Sequence, residues 1–435
     1  MGRLRRRHWL GLSLGLAALL LPGLTACQRP AAPPTGPGHR AGGPSQPPLR
    51  ATLFIAVGLS QTTRVTAEQQ ATIQRSLRQL EHSFREIHPG VQLEVMVFSE
   101  RQLTEEVERR NRSGLGPDLI MLNGQKALEL KQLGLIRTLP HPHQLSRNLR
   151  PELLPAVEVA GSPTQLLALP LGLQPQLACY DRRRMDSPPE TLQQLLEASS
   201  NGQRFGISFR LVNLAWTIGS VGSLPSIVAI RRGSPITAEH RQAIERWLLW
   251  LRQAAMQQHI NLESNSSELV QQLNQGQLDW ITCRSQDVSQ LRARLGSSLG
   301  LARMPDGDGH AASPLSTLLV WGLGRNSSEQ QRRAAEELVK FTLNPPIQRA
   351  FTLRTQGMLP VTRNTPLPLR SSANLAALLG AQEQADQASD LSEALVTLRD
   401  RETALDQILK EFHYGHLTLE EASAALIRAL QPSQR

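Results

Sequence analysis

The sequence predicts an α/β fold with parallel strands, built as more than one domain. Short apolar segments typical of strands alternate along the chain with amphipathic segments of helical spacing. Alternation of this kind produces a parallel sheet covered by helices on both faces. At 435 residues the chain exceeds one ordinary domain, and hydrophobic residues make up 40% of it, enough for a large core.

The first part of the chain contains three strand–helix pairs. Apolar or alternating segments predict strands at residues 51–57, 91–98 and 117–122. Helical spacing predicts helices at residues 68–87, 101–112 and 126–133. Ligands of such sheets bind outside the carboxyl ends of the strands. We therefore expect ligand contacts around residues 59–61 and 123–125.

The remainder continues the alternation after an extended crossover. Residues 166–181 form two apolar runs with Pro and Gly between them, which suits an extended segment crossing between lobes. Further strands are predicted at residues 205–209, 278–283, 299–305 and 316–324. Further helices are predicted at residues 238–258, 327–343 and 390–430, the last with a break at 414–415. The middle strands are expected to form a second sheet.

The amino terminus has the organisation of an export signal. Residues 1–9 are basic, residues 10–21 are almost wholly apolar, and small residues precede Cys27. The apolar run spans only about 18 Å as a helix, short of a bilayer core of about 30 Å. The segment LTAC at 24–27 resembles the lipobox of bacterial lipoproteins, which implies cleavage before Cys27 and its lipidation; an ordinary signal peptide with an incidental cysteine is the alternative.

This resemblance predicts where the protein lies. We expect residues 1–26 to be a lipoprotein signal peptide and the Pro- and Gly-rich residues 27–50 to be a disordered tether. Several acyl chains on Cys27 would anchor the folded body to a membrane, where one chain would not. The predicted location is the periplasm or cell envelope.

Charge and cysteine content exclude several classes of function. The formal net charge is +10, but basic residues are scattered among acidic ones, so we predict no nucleic-acid partner. Three cysteines are too few for a disulfide scaffold or a multi-cysteine zinc site. Cys179 and Cys283 end two predicted strands, and outside the cytoplasm they either pair or remain buried free thiols.

Catalytic and metal motifs are absent from the sequence. It contains no G-x-S-x-G, no P-loop lysine motif and no H-E-x-x-H. His141 and His143 have no nearby Asp, Glu or Cys to complete a metal site. The segment DGDGH at 306–310 lacks the third acidic position and closing glutamate of an EF-hand loop. We therefore predict a non-enzymatic protein without a cofactor or metal.

Several segments, taken in order, resemble the extracellular solute-binding proteins of bacterial ABC importers, in the group that includes maltose-type sugar binders. They include FREIHPGVQLEV, GPDLIML, LPLGLQPQLACYDRRRMDSPPETLQQL, AAEELVKFTLNPPIQRAF, GMLPVTRN and the closing ALDQILKEFHYGHLTLEEASAALIRAL. The resemblance implies a two-lobed periplasmic binding protein fold of type II, with crossover hinge strands and carboxyl-terminal helices. It places lobe one at residues 51–172 plus 320–365 and lobe two at residues 175–316 plus 366–435.

The same resemblance implies a ligand site in the cleft between the lobes. Together with the strand ends, it predicts as ligand contacts Gln61, Asn123, Gln125, Gln174, Asn213, Trp216, Arg284, Gln286 and Trp321. The set is rich in amides, which donate and accept hydrogen bonds and suit hydroxyl-rich or zwitterionic ligands. Its one charge is a guanidinium able to bind a carboxylate or phosphate. For the two tryptophans the alternative is packing in the core.

The resemblance also implies the function. We expect a membrane-tethered protein that captures a small polar solute, a sugar or a related compound, and delivers it to the permease subunits of an ABC importer. The position after LDWITC, where sugar binders usually place a stacking aromatic residue, is occupied here by Arg284, Ser285 and Gln286. The alternative is therefore an envelope scaffold or sensor lipoprotein that keeps the fold and binds a protein partner.

Overall fold

The structure, a computed structural model, describes residues 48–59, 65–139, 147–159, 162–396 and 401–432. The predicted signal peptide at 1–26, residues 27–47 of the predicted tether, Gln61 and the histidine pair of residues 141 and 143 lie outside these ranges. The described residues belong to one unit that begins at Pro48. None of its described helices combines the length and apolarity needed to span a bilayer.

Twelve strands are present in the described ranges. They are β1 (Arg50–Leu59), β2 (Gly90–Ser99), β3 (Leu119–Asn123), β4 (Ile136–Arg137), β5 (Glu158–Val159), β6 (Ser162–Leu166), β7 (Leu169–Asp181), β8 (Phe205–Ser208), β9 (Ile260–Glu263), β10 (Trp280–Arg284), β11 (Leu299–Ala302) and β12 (Ser316–Gly324). The prediction for β12 is confirmed at both ends. The predicted strands at 51–57 and 91–98 are each extended at both ends, because their register continues beyond the apolar core residues.

The α-helices alternate with these strands and then close the chain. They are α1 (Ala67–Arg85), α2 (Glu100–Arg112), α3 (Gly124–Gln132), α4 (Leu192–Ser200), α5 (Leu211–Ser220), α6 (Leu224–Arg231), α7 (Ala238–Ala255), α8 (Ser266–Asn274), α9 (Val288–Leu295), α10 (Glu329–Thr342), α11 (Pro345–Thr355), α12 (Ala373–Gln387), α13 (Ser389–Val396), α14 (Glu402–His413) and α15 (Leu419–Leu430). The predicted break at 414–415 is confirmed, since α14 ends there and Gly415 has a φ of +76°.

Capping boxes mark the first residues of five described helices. A Ser or Thr side chain accepts from the N3 amide while the N3 side chain accepts from the cap amide, as at Thr66, Ser99, Thr237, Ser328 and Thr418. Each such cap stabilises its helix by about 1 kcal/mol. Local chemistry therefore fixes where α1, α2, α7, α10 and α15 begin.

Ten of the described strands form one sheet in the order β2-β1-β3-β12-β7-β10-β8-β9, with β11 paired to β7 and β4 to β12, and β5 and β6 form a separate antiparallel pair. The expectation that the middle strands form a second sheet is therefore wrong, because β7 joins them to the first strands. Pairing is parallel among β1, β2 and β3 and among β8, β9 and β10. It is antiparallel where β12 meets β3 and β7 and where β7 meets β10. The expectation of a parallel sheet thus holds at both ends and is wrong in the centre, because β7 and β12 return across it.

Strand β7 joins the two halves of the core. Leu177 and Cys179 pack in a cluster around β1, β3 and β12, whereas Ala178 and Tyr180 pack in a second cluster around α5, α7 and the last helices. Successive side chains of a strand point to opposite faces, so one strand serves both clusters. Cys179 also forms a disulfide with Cys283 of β10, with 5.8 Å between the Cα atoms. Of the two states that the sequence left open, the structure has the paired one.

Candidate functional site

The carboxyl ends of β1, β2 and β3 meet at one edge of the sheet. Leu59 of β1 is paired with Ser99 of β2, and Val57 is paired with Met121 of β3, so Asn123 lies level with Leu59. Helices α2 and α3 start directly at this edge. The topology therefore brings these strand ends together in this half of the sheet, and the ligand contacts expected there stay a prediction.

Beyond β3, the sheet continues through β12 and β7 to the carboxyl end of β10. Asn123 is paired with Leu319 of β12, and Leu319 with Gly172 of β7. Gln174 follows two residues along β7, about 7 Å further. Two residues further along β7, Gln176 is paired with Arg284, the last residue of β10. Asn123 and Arg284 are three strands apart and offset by four residues along β7. With about 4.8 Å between strands and about 3.4 Å between residues, the side chains from β3, β7 and β10 span a patch roughly 20 Å across.

Asn123 is held as a helix cap at this edge. Its Oδ1 accepts from the Lys126 amide at 2.7 Å, and its Nδ2 donates to Glu100 Oε1 at 2.7 Å. Only 9% of the residue is exposed. Glu100 and Lys126 were not among the predicted site residues, although each lies within a few positions of a predicted strand end. Lys126 is itself buried and donates to Glu129 Oε1 at 2.7 Å.

Asn213 lies on α5 and hydrogen-bonds residues of β8 and β7. Its Nδ2 donates to Ser208 Oγ at 2.8 Å, and its carbonyl accepts from Gln176 Nε2 at 2.7 Å. Gln176 is not among the predicted site residues, because a buried glutamine inside an apolar run carries no motif. Its Oε1 is buried and has no hydrogen-bond partner in the described part of the chain. This amide is therefore a polar group of the candidate site in its own right.

Arg284 is neutralised by its neighbours. Its Nε lies 3.4 Å from Asp287 Oδ2, and 14% of the side chain is exposed. With the amide oxygen of Gln286 turned towards the guanidinium, that oxygen accepts at 3.1 Å from both terminal nitrogens of Arg284. The cation is thus held in place and matched by a carboxylate, so the patch carries no net charge from this pair.

Gln125 and Gln174 are the predicted amides that are open to a ligand. Gln125 is exposed in the first turn of α3, and Gln174 is half-buried on β7 opposite Thr317. Neither side chain hydrogen-bonds to another residue in the described ranges. Both can therefore donate and accept towards a solute without breaking an internal bond.

The two tryptophans predicted as ligand contacts lie in the core. Trp216 is fully buried on α5 and packs edge-on against Trp250 at 5.8 Å between ring centroids. Trp321 on β12 is 1% exposed and faces the first core cluster. A ligand contact to either ring would require this packing to open. The burial follows the alternative of core packing, which helical and strand periodicity could not separate from a cleft position.

Carboxylate chemistry at this edge is limited. Within the described residues there is no group of three or more His, Cys, Asp or Glu side chains placed to hold a metal. In the 306–310 segment Asp306 Oδ1 accepts from the Ala312 amide at 2.8 Å and from Gln384 at 2.9 Å, which makes it a loop organiser. Burial raises the pKa of Asp118, but this carboxyl lies at the amino end of β3, away from the edge.

Comparison with known proteins adds a family and a fold. A family model described as bacterial extracellular solute-binding protein matches residues 79–377. A search of curated protein sequences found no match.

Among solved structures, the GacH receptor of Streptomyces glaucescens, determined unliganded and with acarbose, is 12% identical with a TM-score of 0.66, covering 88% of this chain and 97% of that one. Maltose-bound MalE3 of T. maritima is 15% identical with a TM-score of 0.63, covering 87% and 99%. A chitin oligosaccharide binding protein is 15% identical with a TM-score of 0.62, covering 88% and 98%. At these identities the similarity establishes the fold, and it confirms the predicted two-lobed α/β class.

Proposed function

This chain belongs to the bacterial extracellular solute-binding protein family, and from that premise we propose that it captures a small polar solute in a cleft between two lobes and delivers it to the permease subunits of an ABC importer. The observation that carries the proposal is the patch at the strand ends. There Gln176 of β7 is paired with Arg284, which Asp287 neutralises, and Gln174 lies two residues before Gln176 on the same strand. Gln125 faces the same region from the helix that follows β3.

The proposal keeps the division into lobes that the family resemblance predicts. Lobe one comprises residues 51–172 and 320–365, and lobe two comprises residues 175–316 and 366–435. Strand β7 crosses between them, pairing with β12 on one side of the boundary and with β10 on the other. A solute that contacts both lobes binds the closed form more tightly than the open form, and that difference in affinity shifts the population towards closure.

The solute is neutral and rich in hydroxyl groups. Asp287 balances the guanidinium of Arg284, so this pair offers no unmatched charge to an anion or a cation. Amide groups provide both donors and acceptors, which is what a sugar or polyol requires. The names of the structural neighbours point the same way, since they mention acarbose, maltose and chitin oligosaccharide as ligands of those proteins.

The protein acts outside the cytoplasm as a tethered lipoprotein and is not an enzyme. Cleavage before Cys27 and acylation of its thiol would leave the residues between Cys27 and β1, which begins at Arg50, as a flexible link to the membrane. The test is the distribution of the protein between membrane and soluble fractions. The wild type should be found with membranes and should carry the mass of the lipid. A Cys27→Ala variant should lose both properties, and unmodified Cys27 in membrane-extracted wild type would contradict the anchor.

A thermal-shift screen of the purified protein tests solute capture. Neutral sugars and polyols, amino acids and phosphorylated compounds form the panel, because a ligand that binds only the folded state raises the melting temperature. We expect the neutral sugars or polyols to give the shift. Absence of any shift, together with co-purification of a protein partner, would favour the scaffold function instead.

Matched variants locate the binding patch. Gln174→Ala removes an accessible amide of the patch, and Gln79→Ala makes the same change on the exposed face of α1. A lost hydrogen bond to a ligand weakens binding by about 0.5–1.5 kcal/mol. We expect Gln174→Ala to raise the dissociation constant of the stabilising solute about two- to tenfold and Gln79→Ala to leave it unchanged. Equal affinities for both variants would place the solute elsewhere.

A further inference from the structure

A basic cavity lies at the opposite end of the strands, away from the solute patch. It has a volume of 710 Å³ and is lined by Lys131, Gly134, Ile136, Arg137, Thr138, Gln165 and Arg325. The cavity sits where β4 pairs with the last residues of β12, which in turn pair with the first residues of β3. The carboxyl end of β3, where the solute patch begins, is about 13 Å away along the strand.

The wall of this cavity is built by the end of α3. Gly134 has a φ of +67°, its amide donates to the Lys131 carbonyl at 2.9 Å, and the Leu135 amide donates to the Leu130 carbonyl at 2.8 Å. This is a Schellman motif, which needs the left-handed conformation that glycine adopts without strain. The turn leaves the Gly134 carbonyl facing the cavity, where Arg325 Nη1 donates to it at 3.2 Å.

The three cations of the cavity come from separate elements. Lys131 lies in the last turn of α3, Arg137 on β4, and Arg325 directly after β12. No acidic residue is among the lining residues. In the described part of the chain, neither Lys131 nor Arg137 has a side-chain hydrogen bond or ion pair with another residue. Like charges that line one cavity repel each other, and a bound anion relieves that repulsion.

A second, smaller cavity continues the first and shares Arg137 and Thr138 with it. Its volume is 220 Å³, and Arg332, Asp118 and Glu336 contribute to its lining. The Nε of Arg332 is buried without a hydrogen-bond partner in the described ranges. A further guanidinium donor is therefore left unsatisfied next to the basic cavity. Its acidic neighbours belong to the smaller cavity, so the larger one keeps its positive character.

We propose that the basic cavity formed by Lys131, Arg137 and Arg325 binds a phosphate-bearing ligand. Guanidinium groups present paired N–H donors that match phosphate oxygens, and a lysine adds a mobile point charge. The volume exceeds that of a single phosphate ion and accommodates a diphosphate or a phospholipid headgroup. Strand β1 begins, at Arg50, towards this same end of the sheet, which makes a lipid headgroup one of the two sources of phosphate to be distinguished.

Calorimetric titration of the full-length protein with soluble probes tests the proposal. The probes are inorganic pyrophosphate, dihexanoyl phosphatidylglycerol below its micelle concentration, and dihexanoyl phosphatidylcholine as the zwitterionic comparison. Short-chain lipids avoid vesicles, to which an acylated protein would attach through its own anchor. Pyrophosphate binding alone indicates a soluble phosphate compound, and preferential phosphatidylglycerol binding indicates a headgroup; either outcome supports the site.

The variants are Arg137→Gln and Arg325→Gln, with Arg78→Gln as the matched control on the exposed face of α1. Hydrogen bonds to charged groups are strong enough that loss of one guanidinium should weaken phosphate binding at least tenfold. Arg78→Gln should leave the affinity within twofold of the wild type. Solute binding at the strand ends should be unchanged in all three variants, which separates this site from the proposed transport function.

Two results would overturn the proposal. One is no binding of pyrophosphate or phosphatidylglycerol at low ionic strength, where charge interactions are strongest. The other is binding that Arg137→Gln, Arg325→Gln and Arg78→Gln weaken equally, since a general charge effect does not require the cavity. All three side chains are exposed, so we expect each variant to fold like the wild type. Thermal melting of each variant without ligand checks this expectation.

Discussion

Reduction of the disulfide between Cys179 and Cys283 should destabilise the folded body more than any single surface substitution. The two cysteines are 104 residues apart in sequence, and both are buried. In the chain-entropy description, closing a loop of this length lowers the entropy of the unfolded chain by about 16 cal/mol/K. At 25 °C that corresponds to about 4.7 kcal/mol of stability, an upper value because reduced unfolded chains retain some structure.

The assay is urea denaturation followed by tryptophan fluorescence, with and without a reductant that reaches the unfolded chain. We expect the free energy of unfolding to fall by about 2–4.7 kcal/mol on reduction. The Cys179→Ala and Cys283→Ala double variant is the control, since reductant should not alter its stability further. It also shows the small additional cost of the missing sulfur atoms in the core.

Either of two results would refute this reasoning. Peptide mapping of the unreduced protein could find free thiols at both Cys179 and Cys283. Alternatively, reduction could change the free energy of unfolding by less than about 1 kcal/mol, which would mean that the link between β7 and β10 does not constrain the unfolded chain.

Three further predictions concern the second half of the fold. The guanidinium of Arg183 donates hydrogen bonds to the carboxylate of Asp181 and lowers the pKa of that carboxyl, so ionised Asp181 stabilises the fold above its unfolded pKa of about 3.9. In urea titrations at a series of pH values, the wild type should be more stable than Asp181→Asn at neutral pH, and this difference should shrink as the pH falls below that value. Replacing Arg401, which donates to two carbonyls at the end of α15, with Met should cost about 1–3 kcal/mol in urea denaturation. Thr418→Ala removes the capping box at the start of α15 and should cost about 1 kcal/mol, whereas Thr418→Ser should cost much less.

Much of the fold is local in origin, and those parts were predictable. The alternating segment that became β2 and the apolar segment that became β12 were recognisable because their side chains follow a period of two or a buried run. Capping boxes such as Ser99 with Gln102 mark the helix starts within four residues of sequence. The glycine at 415 marks the break between α14 and α15.

The pairing of strands was less predictable because it depends on contacts distant in sequence. The antiparallel centre arises where β12 returns between β3 and β7, across separations of more than 140 residues. Short strands such as β4 (Ile136–Arg137) and β9 (Ile260–Glu263) also escaped detection, since a few residues carry too little periodicity. Strand order therefore cannot be predicted from any short segment, whereas the start of a helix can.

In the candidate site too, local features were predictable and contacts between distant residues were not. Parallel pairing brings the carboxyl ends of β1, β2 and β3 to one edge, and the ligand contacts predicted there stay a prediction. Side-chain roles were not predictable. Asn123 and Asn213 were proposed as ligand contacts, and both are engaged in internal hydrogen bonds. Gln176 was overlooked, although its buried Oε1 has no hydrogen-bond partner within the described ranges.

A crystal structure of the protein with the solute that gives the largest thermal shift would show directly whether the solute binds at the amide patch. We expect electron density for a neutral, hydroxyl-bearing molecule at the carboxyl ends of β3 and β10 and the middle of β7. Its hydroxyl groups should lie about 3 Å from the amides of Gln174 and Gln125. A solute bound elsewhere, or one bound through an unpaired Arg284 with Asp287 displaced, would contradict it.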